Sequence, residues 1–171
     1  VYGVDHKVAR ASLAKAAVIP GRLERVLKGY NVFVDYAHTD DALNNVLSAL
    51  RNTFPDKKII TVFGCGGDRD KGKRPKMGKV VSDLSDYAIV TSDNPRHEDP
   101  DKIIESIVAG MRPNIYEIIP DRRSAIKKAV EMMNKNNDVL LIAGKGHEAY
   151  QQIGDSKHEF DDRVVARSFI K

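Results

Sequence analysis

Residues 58–75 read KIITVFGCGGDRDKGKRP. The first seven, KIITVFG, are dense in β-branched side chains and spell a strand buried on both faces. From Pro75 to Leu84 the spacing predicts a helix, with proline at its opening, where a missing N–H costs nothing. Between them lies a glycine-rich loop crowded with charge. Gly67 to Lys73 (GDRDKGK) matches the spacing G-x-x-x-x-G-K of a phosphate loop. Such a loop needs Ser or Thr after the lysine to hold Mg²⁺, and here that residue is Arg74. Asp68 and Asp70 would set carboxylates against the phosphates. The dinucleotide pattern G-x-G-x-x-G fails as well, because residue 69 is Arg. A loop mixing Asp and Arg suits a zwitterion or a salt-bridge network, and its bland reading is a solvated charged turn.

Outward from this unit the same alternation repeats. Tyr87 to Ser92 (YAIVTS), Ile115 to Ile119 and Val139 to Ala143 (VLLIA) read as strands. Helical spacing runs over Thr39 to Phe54, with Thr39 as N-cap, over Asp101 to Ala109, and from the cap Asp121 to Asn134. A last helix is expected in FDDRVVARSF, residues 160–169. Residues 23–34 read as a hairpin or two short strands split by KGYN. Residues 6–18 read as an Ala-rich helix that Pro20-Gly21 ends. Strands spaced by helices predict an α/β fold with a mainly parallel sheet of about six strands, the first of them possible antiparallel partners.

The bulk properties narrow the function classes. The 171 residues are 42% apolar and 30% charged, ordinary for a globular domain with a real core. Net charge is +4 and is not gathered into a long basic run, so nothing calls for nucleic acid. No run approaches the roughly 18 apolar residues of a membrane span. The single cysteine, Cys65, excludes an internal disulfide. His, Asp and Glu are scattered without metal spacing, and neither a protein-built metal site nor a catalytic triad is expected.

In a parallel sheet, ligands sit beyond the carboxyl ends of the strands. Four loops at strand ends carry chemistry: Asp35 to Asp40 (DYAHTD), Gly64 to Arg74, Ser92 to Asp99 (SDNPRHED) and Gly144 to Glu148 (GKGHE). Asp93 and Asn94 offer oxygens to an ammonium, Pro95 stiffens the turn, and Arg96 presents a planar fork suited to a carboxylate. The glycines of GKGHE let backbone approach a ligand; Lys145 and His147 suit phosphate or carboxylate, and Glu148 suits an amine. Asp35 and His38 suit a ribose or base. Each loop also has a plain structural reading as a capping or connecting turn.

Together the stretches PGRLERV, DYAHTDDAL, VFGCGGDRDKGKRP, TSDNPRHEDP, AGKGHEAYQ and FDDR resemble the Mur ligases over residues 20 to 163. The resemblance implies a Rossmann-like, three-layer C-terminal domain over residues 20–171, with residues 1–19 as the terminal helix of a preceding ATP-binding domain. It implies ATP-dependent amide formation through an acyl phosphate, with ATP and Mg²⁺ held mainly by that other domain. The implied substrates are meso-2,6-diaminopimelate and a UDP-N-acetylmuramoyl-dipeptide, in a monomeric cytoplasmic enzyme of peptidoglycan synthesis. Residue by residue, Arg69, Asp93, Asn94, Pro95, Arg96, Gly144 and Glu148 would bind the amino acid. Arg22, Asp35 and His38 would meet ATP. Asp40 stands where the family commonly has Pro. Two alternatives remain open: a stand-alone nucleotide-binding module, and a related ligase using lysine or another amino acid.

Overall fold

The computed structural model describes residues 3–14 and 19–170. Its main sheet has six strands in the order β1-β2-β6-β3-β4-β5. They are β1 (Glu24–Arg25), β2 (Val32–Asp35), β3 (Lys58–Phe63), β4 (Tyr87–Val90), β5 (Tyr116–Ile118) and β6 (Asp138–Ala143). β1 pairs antiparallel with β2, and the other four pairings are parallel. The helices are α1 (His6–Ala14), α2 (Asp40–Thr53), α3 (Lys73–Leu84), α4 (Pro100–Val108), α5 (Arg122–Met132) and α6 (Asp162–Phe169). The expected Ala-rich helix is seen as α1, and its reading over 15–18 lies outside the described residues.

The side-chain period of two splits each strand between two cores. Phe33, Ile59, Phe63, Leu141 and Ala143 face a core closed by α2, α3 and α4. Val32, Val34, Ile60, Val62 and Ile142 face a second core closed by α5 and α6. This gives the three layers. Helix starts follow cap chemistry: Thr39, Asp99, Asp121 and Asp161 each accept backbone N–H groups of the following turn. Such a cap is worth about 1 kcal/mol.

Two details differ from the sequence reading. α3 begins at Lys73, so Pro75 is its third residue rather than its first; it still lies in the first turn, where N–H groups have no intrahelical partner. The second detail is a hairpin in the tail, β7 (Tyr150–Ile153) with β8 (Ser156–Glu159), which forms its own two-stranded sheet. Its turn is Gly154-Asp155, with Gly154 at φ +56°, a two-residue hairpin signal that the sequence carries. The polar strands QQ and SKHE hide it, because neither buries an apolar face.

Candidate functional site

The carboxyl ends of β2, β3, β4 and β6 surround a cleft of about 300 Å³. Arg69, Asp93, Asn94, Arg96, Gly144 and Glu148, drawn from three loops, all line it. His38 lines it too, together with Tyr36, Lys73 and Tyr150, which the sequence reading did not select. Pro95 is buried behind the wall.

The charged loop is built as an ion-pair network. Arg74 is buried and meets Glu98 through both Nη atoms, at 3.1 and 2.9 Å. Glu98 Oε1 also accepts the Asp68 N–H (2.6 Å), and Lys71 stands 3.3 Å away. Arg74 foremost, with these other donors, pulls the Glu98 carboxyl down to about 2. The Gly67 N–H donates to Asn94 O, and the Gly72 N–H to Asp70 Oδ1. A phosphate loop must leave such N–H groups free for the anion; here neighbouring carboxylates and a carbonyl occupy them. The likeness to a phosphate loop is one of spacing alone.

His97 extends the network. Its Nδ1 lies 2.8 Å from Asp68 Oδ2 and its Nε2 3.1 Å from Asp155 Oδ1. The hydrogen bond to Asp68, then that to Asp155, raises the imidazole pKa above its ordinary value.

The floor of the cleft is a relay. Lys145, fully buried, donates to Asn94 Oδ1 (2.8 Å) and stands 3.6 Å from Glu148 Oε2. Asn94 Nδ2 donates to the same Glu148 oxygen (3.1 Å). The expectation that Lys145 meets a ligand is therefore corrected: its ammonium is spent on orienting Asn94 and Glu148, and desolvation lowers its pKa. Asp93 is 7% exposed, and among the described residues its carboxylate has no hydrogen-bond partner. It abuts Gly144, where a Cβ would fall 2.6 Å from Asp93 Oδ2, so only glycine leaves that oxygen its place. A nearly buried carboxylate without a donor is a strong acceptor for an ammonium.

On the cationic side, Arg96 Nη1 donates to Gly67 O (2.7 Å). Arg69 Nη1 donates to its neighbour Asp68 O (3.0 Å). Both forks keep N–H groups for an anion.

Of the three residues expected to meet a nucleotide, His38 lines the cleft, Arg22 stacks on the cleft-lining Tyr36, and Asp35 does not line it. Arg22 lies 4.4 Å over the Tyr36 ring, which in turn packs against His38 and His147. His38 Nδ1 donates to Tyr36 O. Asp35 turns inward. Its two oxygens accept the Leu23 N–H (2.6 Å) and the Ala37 N–H (2.8 Å), which shapes the turn carrying Arg22.

Beneath the cleft lies a pair that loop chemistry did not reveal. Arg122 and Asp162, both fully buried, form a two-pronged ion pair at 2.8 Å for each contact. Arg122 Nη2 also donates to Ala143 O at the end of β6. They open α5 and α6, so the pair ties both helices to the strand end under the site. Cys65, in the core closed by α2, α3 and α4, is 3% exposed, and burial pushes its thiol up to about 12. The folded protein is expected to resist a maleimide at neutral pH and to react once denatured; rapid native labelling, read by mass spectrometry, would contradict this burial.

Residues 21–146 match the family model described as Mur ligase, glutamate ligase domain. The chain belongs to the Mur ligase family. It is 50% identical, over 99% of its length, to a UDP-N-acetylmuramoyl-L-alanyl-D-glutamate–2,6-diaminopimelate ligase of Clostridium tetani, of which it covers 35%. A protein of the same name from Lawsonia intracellularis is 55% identical over 89% of this chain and 32% of its own length. A solved structure bearing that name superposes with a TM-score of 0.82 at 42% identity, over 98% of this chain and 35% of the other. Mycobacterium tuberculosis folylpolyglutamate synthase, complexed with ADP and AMPPCP, shares the fold at a TM-score of 0.61 and 23% identity, over 83% of this chain and 33% of its own. The chain thus spans about a third of the length of the curated relatives it matches. For a Mur ligase domain, the sequence signal for Arg122 was weak: it is the first of two arginines directly after the cap Asp121, and nothing local separates it from Arg123. Asp162 was already present within the FDDR stretch.

Proposed function

We propose that this chain is the amino-acid-binding domain of an ATP-dependent ligase that adds meso-2,6-diaminopimelate to UDP-N-acetylmuramoyl-L-alanyl-D-glutamate in peptidoglycan precursor synthesis. The carrying observation is that Arg69, Arg96, Asp93 and Glu148 all line one cleft, which brings guanidinium and carboxylate groups together. A diamino diacid offers two carboxylates and two ammonium groups, which that set complements. Arg96 and Arg69 take carboxylates, Asp93 and Glu148 take ammonium, Asn94 holds Glu148 in place, Gly144 gives Asp93 room, and Pro95 stiffens the turn. The relatives' names support the substrate.

The group of Arg22, Tyr36 and His38 is cationic and aromatic, with Arg22 and His38 exposed, which fits a nucleotide shared with another domain. In this reading ATP supplies the phosphate that activates the peptide carboxylate. Arg22 and His38 meet it from across the interdomain cleft, and Asp35 positions the Arg22 turn. Mg²⁺ in this reading is held mainly by the remainder of the parent enzyme. α1 is exposed along nearly all its described side chains, Val8 at 58%, as is Val4 just before it at 62%. That supports residues 1–19 as an element of the preceding domain and 20–171 as the C-terminal one. A monomeric enzyme of the cytoplasm completes the proposal; no described helix is long and apolar enough to cross a membrane.

The test is to assay the full-length parent with diaminopimelate and lysine side by side, and this chain alone with ATP. Ligation of diaminopimelate in strong preference to lysine, with no phosphate release by the isolated chain, is the expected result. Equal use of lysine would favour a ligase of other specificity. Tight ATP binding by the chain alone, lost on Lys73→Ala, would favour a nucleotide module.

A further inference from the structure

The β7–β8 hairpin lies outside the assigned site except for Tyr150, yet it is bonded to every residue from Asp93 to Arg96 that carries cleft chemistry. Gln151 Nε2 donates to Asp93 O (2.7 Å), and the Gln152 N–H donates to Asn94 Oδ1 (2.9 Å). The Arg96 N–H donates to Gln152 O (3.1 Å), and the Gly154 N–H donates back to Arg96 O (2.7 Å). Arg96 and Ile153 thereby form a parallel bridge. At its turn, Asp155 meets His97. Arg96 itself stands at φ +52°, left-handed backbone that an arginine does not adopt without outside support. Both its backbone polar groups find that support in the hairpin. Relaxation of this φ to an ordinary value would swing the guanidinium away from Gly67 O and from the cleft.

We propose that the β7–β8 hairpin is the specificity-setting element of this domain, holding the Arg96 backbone in its left-handed conformation so that the guanidinium faces the second carboxylate of the diamino acid. Gln151 and Gly154 are the positioning residues; neither lines the cleft. The proposal rests on the reading of the site given above.

Two substitutions in the full-length ligase act on the hairpin from different directions. Gly154→Ala adds a Cβ that meets nothing within 4 Å, so it penalises only the φ of +56°. Gln151→Met removes one donor at similar volume. Gly29→Ala is the control: φ +87°, open space, and a turn at the opposite end of β2. The readout is the ratio of kcat/KM for meso-diaminopimelate to that for lysine, with melting temperatures in parallel. Gly154→Ala is expected to lower the ratio about tenfold, as displacement of a binding group does, and Gln151→Met is expected to lower it in the same direction. For Gly154→Ala the loss should fall in KM for diaminopimelate, with kcat and the lysine constants unchanged; Gln151→Met, whose bond is to Asp93, should also raise KM for lysine, but by less than for diaminopimelate. Gly29→Ala should lower the melting temperature alone. If Gly154→Ala does not fold, Gln151→Met decides. Hairpin variants that keep the ratio of Gly29→Ala, while the wild type prefers diaminopimelate, would overturn the proposal and leave the site reading standing. A wild type without that preference would overturn the site reading itself.

Discussion

Arg96→Ala in the full-length ligase is expected to cut kcat/KM for meso-diaminopimelate by about 10- to 150-fold, since one charge-assisted contact is worth about 1.5–3 kcal/mol. Turnover of lysine should change little. Lysine has an ammonium but no second carboxylate, so it never used the contact. The guanidinium is free to make that contact, because among the described residues only the bond from Nη1 to Gly67 O occupies it. Arg96→Lys should fall between the two, because a lysine keeps the charge and loses the fork. The measurement is steady-state kinetics with both amino acids. An unchanged ratio in Arg96→Ala would remove the specificity argument.

The largest stability effect should come from the pair beneath the cleft. Arg122→Met leaves Asp162 as a fully buried carboxylate without its partner. Breaking such a pair costs about 3–5 kcal/mol. For a chain of this size that lowers the melting temperature by roughly 10 °C. The double variant Arg122→Met with Asp162→Leu removes both charges and should recover much of the loss, because desolvation no longer acts on an unpaired ion. Calorimetry on the three proteins checks it; equal losses in the single and double variants would show that the cost is one of packing and not of charge. Since Arg122 also donates to Ala143 O, next to Gly144, the single variant should loosen the cleft floor as well.

Much of the site was legible because loops at strand ends in a parallel sheet must converge. Asp93, Asn94, Arg96, Gly144 and Glu148 are legible from their positions after strands and their chemistry, Arg69 as a contact only from the family resemblance, and all six line the cleft. Tyr36 and Tyr150 were not, since an aromatic next to a strand reads equally well as core. Lys145 was legible as a cation but not as a buried one. Nothing in GKGHE distinguishes an ammonium pointing to solvent from one pointing at Asn94, 51 residues earlier. The hairpin escaped for a related reason. Its strands are stabilised by bonds to the loop at 93–96, not by an apolar face, and only an apolar face leaves a period in the sequence.

The amino-acid order alone determined the alternation of strands and helices, the parallel sense of the sheet, the capped helix starts and the end of the sheet where chemistry gathers. These follow from local propensity and from a burial period that each segment carries within itself. Tertiary structure decided which charges face a ligand and which face one another. Arg74 reaches Glu98 across 24 residues and Arg122 reaches Asp162 across 40. An ion pair depends on distance through space, which no local pattern encodes, and a buried charge is stable only where the fold brings its partner.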